Sequence, residues 1–169
     1  ISIVDNHCHP ILLQQNMDTL QFRSYFSEAT HASFALKHVS NSVYYLWLLR
    51  QLANIYGTGR AEDAIIAARN SQSSESLLRS LIQAANIDTL ILDIGHPTPD
   101  ECYTPEQISH IGHCRTARML RLEVLMQRLI VAYADFDEVV ERFSTEVEYS
   151  RKNGYCALKS IVAYRTGLK

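Results

Sequence analysis

The chain has 169 residues, 47% of them hydrophobic, 20% charged and 9% aromatic, and its 16 basic and 18 acidic side chains give a formal charge of −2. A chain of this size supports one hydrophobic core, burying roughly 70% of the surface its unfolded form exposes. The lack of a basic excess argues against a nucleic-acid partner, no apolar run approaches the roughly 20 residues of a membrane span, and six Gly and four Pro argue against a collagen-like or Pro/Gly-rich disordered chain. The opening Ile1-Ser2-Ile3-Val4-Asp5 has no charged region followed by an apolar leader. Cysteines stand at 8, 102, 114 and 156 without a CxxC pair. The expectation is reduced thiols and a cytoplasmic protein.

In chain order, Ile1–Val4 is a β-branched run that predicts a strand, ending in the polar stretch Asp5-Asn6-His7-Cys8-His9-Pro10. Residues 11–39 show weak periodicity and predict a long loop with short helical pieces. Ser40 or Asn41 can cap a helix through Tyr56, stopped by Gly57, where Val43, Leu46, Trp47, Arg50 and Leu52 mix apolar and polar positions on a broad buried face. Ala61–Ala68 and Ser74–Ala85 predict two more helices, the second with Leu77, Leu78, Leu81 and Ile82 on one stripe. Thr89–Ile94 (TLILDI) is a near-continuous apolar run, as suits a parallel strand covered on both faces. Thr104-Pro105 opens a long helix through Tyr133, and Asp135 caps another ending near Asn153-Gly154. Cys156–Tyr164 is the third predicted strand. Strand and helix alternate, the pattern of a parallel α/β fold. Each strand ends in polar residues: His7 and His9 with Asp5, then Asp93 and His96, then Arg165. Sites in such folds sit at the C-terminal ends of the strands.

His7-Cys8-His9 is the most specific feature. Alternation along a strand puts side chains at i and i+2 on one face, where two imidazoles can converge on one cation at about 2.0–2.1 Å. Zinc is the first expectation, and Mn²⁺, Fe²⁺ or Ni²⁺ also accept such nitrogen ligands. Asp5 either orients a ligand or ends the strand. Cys8 between two histidines invites a nucleophile reading, but neighbours on a strand face opposite ways, so a metal pair accounts better for the arrangement.

VDNHCHP resembles the first-strand HxH motif of the amidohydrolase superfamily. Two further stretches narrow the resemblance to the amidohydrolase-related branch that also occurs fused to glutamine-synthetase-like domains, the FluG-like proteins. One is Phe26-Ser27-Glu28-Ala29 followed by NSVYYLWLLRQLANIYG; the other is Ala157–Leu168 (ALKSIVAYRTGL). The resemblance implies a TIM (β/α)8 barrel with a metal at the C-terminal ends of its strands. It further implies His7 and His9 as metal ligands, with an activated water attacking an amide or related C–N bond of a small polar substrate. Some relatives are instead non-oxidative decarboxylases. A barrel takes about 250 residues, so residues 1–169 are expected to supply only its first strands and helices, with a helical insertion over about 11–87. A catalytically silent fragment with an assembly or regulatory role is the reading from another class. The expected partner is a small-molecule substrate, and an open sheet edge leaves homo-oligomer formation in view.

Lys159 lies inside an apolar strand, where a lone ammonium is costly. It shares a face with Ile161, Ala163 and Arg165. Lys159 is read as the catalytic candidate, near the metal and open to carboxylation or substrate contact. Arg165 is read as a clamp for a substrate carboxylate; the bland alternative is that Lys159 snorkels to the barrel floor and Arg165 pairs with a neighbouring acid. Asp93 and His96 read equally as substrate-binding residues or as turn formers. Glu28 is a loop residue within possible reach of the site. His110, His113 and Cys114 form an HxxHC stretch without a completing ligand, better read as a partly buried or surface helix face. Tyr44, Tyr45, Tyr164 and Trp47 read as packing or core.

Overall fold

A computed structural model describes residues 1–13, 16–29, 31–95 and 99–164. Among these, the strands are β1 (Ile3–Cys8), β2 (Ile87–Asp93), β3 (Arg115–Arg121) and β4 (Tyr155–Lys159). The helices are α1 (Thr19–Ser24), α2 (Ala32–Lys37), α3 (Val43–Tyr56), α4 (Glu62–Asn70), α5 (Ser74–Ala84), α6 (Pro105–Gly112), α7 (Leu122–Ala132) and α8 (Phe136–Glu148). The chain divides into two compact units, one comprising Ile1–Leu13 with Ala85–Lys169, the other Gln14–Ala84.

The first unit is built on a parallel sheet of order β1-β2-β3-β4. The barrel implied by the resemblance is not formed. Among the described residues β1 pairs only with β2 and β4 only with β3, so four strands make an open sheet with two edges. Closing a barrel requires every strand to have two neighbours. The fold is a small α/β domain.

The predicted long helix over 104–133 is also corrected. It breaks into α6, β3 and α7. Thr104 caps α6 in a capping box with Gln107, with Pro105 in the first turn, as the sequence suggests. The break falls at His113, which takes the left-handed conformation at φ 52°. The Ser109 hydroxyl donates to the Cys114 carbonyl at 2.7 Å and holds the exit. HxxHC is thus a helix terminus. β3 (RTARMLR) escaped notice because Ala, Met, Leu and Arg are good helix formers, and pairing on both sides overrides that preference. The third predicted strand is shorter than expected: β4 stops at Lys159, and Val162–Tyr164 form a 3-10 turn. Leu120 packs with the buried Leu125, Leu129 and Val139 of α7 and α8. The Asp135 side chain accepts from the Asp137 amide to start α8.

The second unit is all helical. Its core comprises Phe22, Ala35, Val39, Tyr45, Leu49, Leu52, Ala53, Ile65 and Ile66. On α3 the buried stripe is Tyr45, Leu49, Leu52 and Ala53, a 3.6-residue period. Val43, Leu46 and Trp47, expected inside, are exposed, and Trp47 stacks on exposed Tyr44 with ring centroids 6.3 Å apart. Tyr164 is exposed as well. Ser42 caps α3 by accepting from the Tyr45 amide, and Gly57 ends it at φ 65°, a conformation that costs glycine nothing.

Three helices of this unit are tied by one carboxylate. Arg23 on α1 donates to both oxygens of Glu62 on α4, at 2.7 and 2.6 Å, and the Tyr45 hydroxyl donates to the same group. The Arg23 hydrogen bonds hold the Glu62 carboxyl below the usual range, outweighing its partial burial. This contribution to stability is complete above the ordinary value of about 4.5 and is lost as pH falls through the lower folded-state value. Glu62→Gln is expected to cost about 1–3 kcal/mol at neutral pH, as befits charge-assisted bonds left half-made. It should also flatten the acid dependence, measured by urea unfolding between neutral and acid pH. Parallel pH curves for variant and parent would refute the assignment.

Candidate active site at the C-terminal end of the sheet

The strands bring their polar ends together. Asp93 closes β2 and pairs in register with Met119, which pairs with Ala157; Arg121 pairs with Lys159. Residues paired across parallel strands share a face, so Asp93, Arg121 and Lys159 lie on one side of the sheet. The Asp93 side chain is fully buried (0% exposed), those of Arg121 and Lys159 nearly so (11% and 17%).

Asp93 is the hub. Arg121 Nε lies 3.1 and 3.0 Å from its two carboxylate oxygens, and a terminal guanidinium nitrogen donates to Oδ2. Lys159 Nζ stands 3.0 Å from Oδ2. The Gly95 amide donates to Oδ1 at 3.2 Å. Burial by itself would push the Asp93 carboxyl up; the hydrogen bonds from Arg121, Lys159 and Gly95 outweigh it and hold the group below the usual range. Gly95 is packed from the other side. A Cβ there would lie 3.1 Å from Arg121 Cβ and 3.2 Å from Val124 Cγ2, so the absence of a side chain lets the loop close over Arg121.

His9 completes the cluster from just beyond β1, with Nδ1 3.8 Å from Asp93 Oδ2 and a side chain 39% exposed. The two histidines are not related by plain strand alternation. Asp5 pairs with Leu90 and Cys8 with Leu92, so three steps on β1 oppose two on β2. Asp5 Oδ1 accepts from the His7 amide at 3.0 Å within that irregular stretch, so Asp5 stabilises the bulge. His7 is exposed. Cys8 is half-buried, with Sγ 3.4 Å from the Ile91 carbonyl oxygen; burial, then the charge of Asp5, push its thiol up to about 12. A thiol so protonated is a poor nucleophile at neutral pH. All four cysteines are free.

The structure thus gathers His9, Asp93 and Lys159 from the sequence candidates. Glu28 is exposed. His96 and Arg165 lie outside the described residues. Two participants were missed. Arg121 was hidden inside the predicted long helix. So was Glu123, whose carboxylate accepts from the Ser160 hydroxyl at 2.5 Å and the Ile161 amide at 2.9 Å, fixing the backbone that follows Lys159. The available signal was the alternation in RTARMLR, which sets Arg115, Ala117, Met119 and Arg121 on one face.

Among the described residues no group of three His, Cys, Asp or Glu side chains is placed to hold a metal ion. Asp93, the acid beside His9, has its oxygens committed to Arg121, Lys159 and Gly95. Two imidazoles suit zinc in kind, but the described residues do not supply the remaining donors.

No family model matches the chain, and no curated protein does. The fold is similar to the crystal structure of a protein from Lactobacillus casei ATCC 334 named, provisionally, a metal-dependent hydrolase. The TM-score is 0.82 at 20% sequence identity, over 99% of this chain and 44% of that one. The chain therefore spans less than half the length of the structure it matches. Among the described residues no helix is long and apolar enough to cross a membrane.

Removing the charge of the hub should be costly. Asp93→Asn leaves two largely buried cations without their counter-charge and is expected to lower stability by about 3–5 kcal/mol, the usual cost of breaking a buried ion pair from one side. Gly95→Ala is expected to cost about 1–3 kcal/mol through overpacking against Arg121 and Val124. Equilibrium unfolding in urea checks both; an Asp93→Asn variant as stable as the parent would show that the cations do not depend on this carboxylate.

Proposed function

We propose that the polar end of the sheet belongs to the active site of a metal-dependent hydrolase of the amidohydrolase-related kind, acting on an amide or related C–N bond of a small polar substrate. The observation that carries this reading is the meeting of His9, Asp93, Arg121 and Lys159, from all four strands or their immediate ends, where parallel sheets place their sites. The fold likeness to a protein named for metal-dependent hydrolysis supports the same class.

In this reading His7 and His9 would hold the ion, with further donors from outside the described residues. A divalent metal, when bound, supplies Lewis-acid polarisation of a carbonyl and activation of water at neutral pH. The chain's own residues prepare the place. Buried Asp93 places its carboxylate beside the His9 ring, with Oδ2 3.8 Å from Nδ1. Arg121 and Gly95 keep Asp93 from moving. Lys159 presents its ammonium to substrate from the opposite edge of the sheet. Arg165 and His96 remain substrate-binding candidates on the strength of the sequence.

The test is metal content. The purified chain, loaded with zinc and desalted, is expected to retain the metal, and the double variant His7→Ala, His9→Ala to lose most of it while keeping its circular dichroism spectrum. Elemental analysis by mass spectrometry reads the result. Equal metal in variant and parent would remove the two imidazoles from the proposal.

A further inference from the structure

We propose that Lys159 and Arg121 together form a binding site for a small carboxylate, which would make the substrate a carboxylate-bearing molecule. The inference rests on reading the sheet end as a substrate site and adds the group by which substrate is held.

The argument is one of charge and donors. A guanidinium and an ammonium face a single carboxylate, so the cluster carries one uncompensated positive charge in a largely buried setting. Among the described residues, Asp93 is the sole ion-pair partner of both cations. Among the described residues Glu123 and Asp5 form no ion pair with either cation: Glu123 Oε1 accepts from Ser160 and Ile161 while its Oε2 is buried without a hydrogen-bond partner, and Asp5 accepts from the His7 amide. Unbalanced charge away from bulk water is expensive unless an anion approaches.

The donors to receive one are present. An ammonium has three N–H groups, and Lys159 directs one at Asp93. Arg121 spends Nε and one terminal nitrogen on Asp93, leaving its other terminal nitrogen. Lys159 and Arg121 are register partners on adjacent strands, so these remaining donors issue from neighbouring points on one face. A carboxylate fits two neighbouring cationic donors, and its single charge equals the deficit, whereas a phosphate dianion would overshoot it.

The experiment uses the 169-residue chain, stripped of metal with EDTA, with the ¹⁵N amide signals of Gly95 and Ser160 followed by NMR. The probes are sodium acetate, acetamide as its neutral isostere, and inorganic phosphate. Acetate is expected to give saturable shifts and acetamide none. Lys159→Met should weaken acetate at least about tenfold, while Lys159→Arg, which keeps the charge, should stay within about threefold of the parent. Non-saturable acetate shifts, equal responses to acetate and acetamide, or unchanged affinity in Lys159→Met would overturn the proposal. So would phosphate binding tighter than acetate, which would make this a phosphate site. Because metal is absent from this titration and measured separately at His7 and His9, failure of the carboxylate site and failure of the metal reading are distinguishable.

Discussion

One fully buried carboxylate organises the polar end of this fold. Asp93 sits at the tip of an inner strand, where water cannot solvate it, and is tolerable there only because cations from the next two strands reach it. The dependence is mutual: Arg121 and Lys159 are themselves largely buried and would be unsupported without the acid. The ion cluster therefore ties β2, β3 and β4 together where their backbone ladders end, and brings His9 alongside.

Such a cluster is weak evidence for stability, because a well-packed apolar trio could hold the strands equally well. Its value lies in placement. Gly95 gives Asp93 an amide and gives Arg121 room, and Glu123 anchors the backbone that leaves Lys159. Side chains and loop backbone thus restrain each charge from more than one direction, which is what a site requires if its groups are to keep a fixed geometry. The helical unit uses the same device for a different end. Glu62 receives Arg23 and Tyr45 and joins three helices.

The first unit shows a sheet with two open edges, and the exposed large apolar residues include Ile3, Val4 and Leu158 on those edge strands. On α3, Val43, Tyr44, Leu46 and Trp47 are likewise exposed. Val43, Leu46 and Trp47 read as core from sequence because hydrophobicity reports a tendency to be buried, whereas burial itself depends on which faces find a neighbour.

Local chemistry settled much in advance. Pro105 behind Thr104, Gly57 after α3 and Asp135 before α8 mark boundaries through capping, and the apolar run before Asp93 specified a parallel strand, because each of these signals acts within a few residues. The polar residues at strand ends were visible in the same way. Tertiary structure decided the rest. Whether RTARMLR is helix or strand turned on pairing with β2 and β4, segments distant in the chain, and with that choice Arg121 moved from a helix flank to the site. Whether the sheet closes is likewise a matter of neighbours, and four strands leave it open. The union of Asp93, Arg121 and Lys159 depends on register between strands, a long-range property that no local spacing encodes.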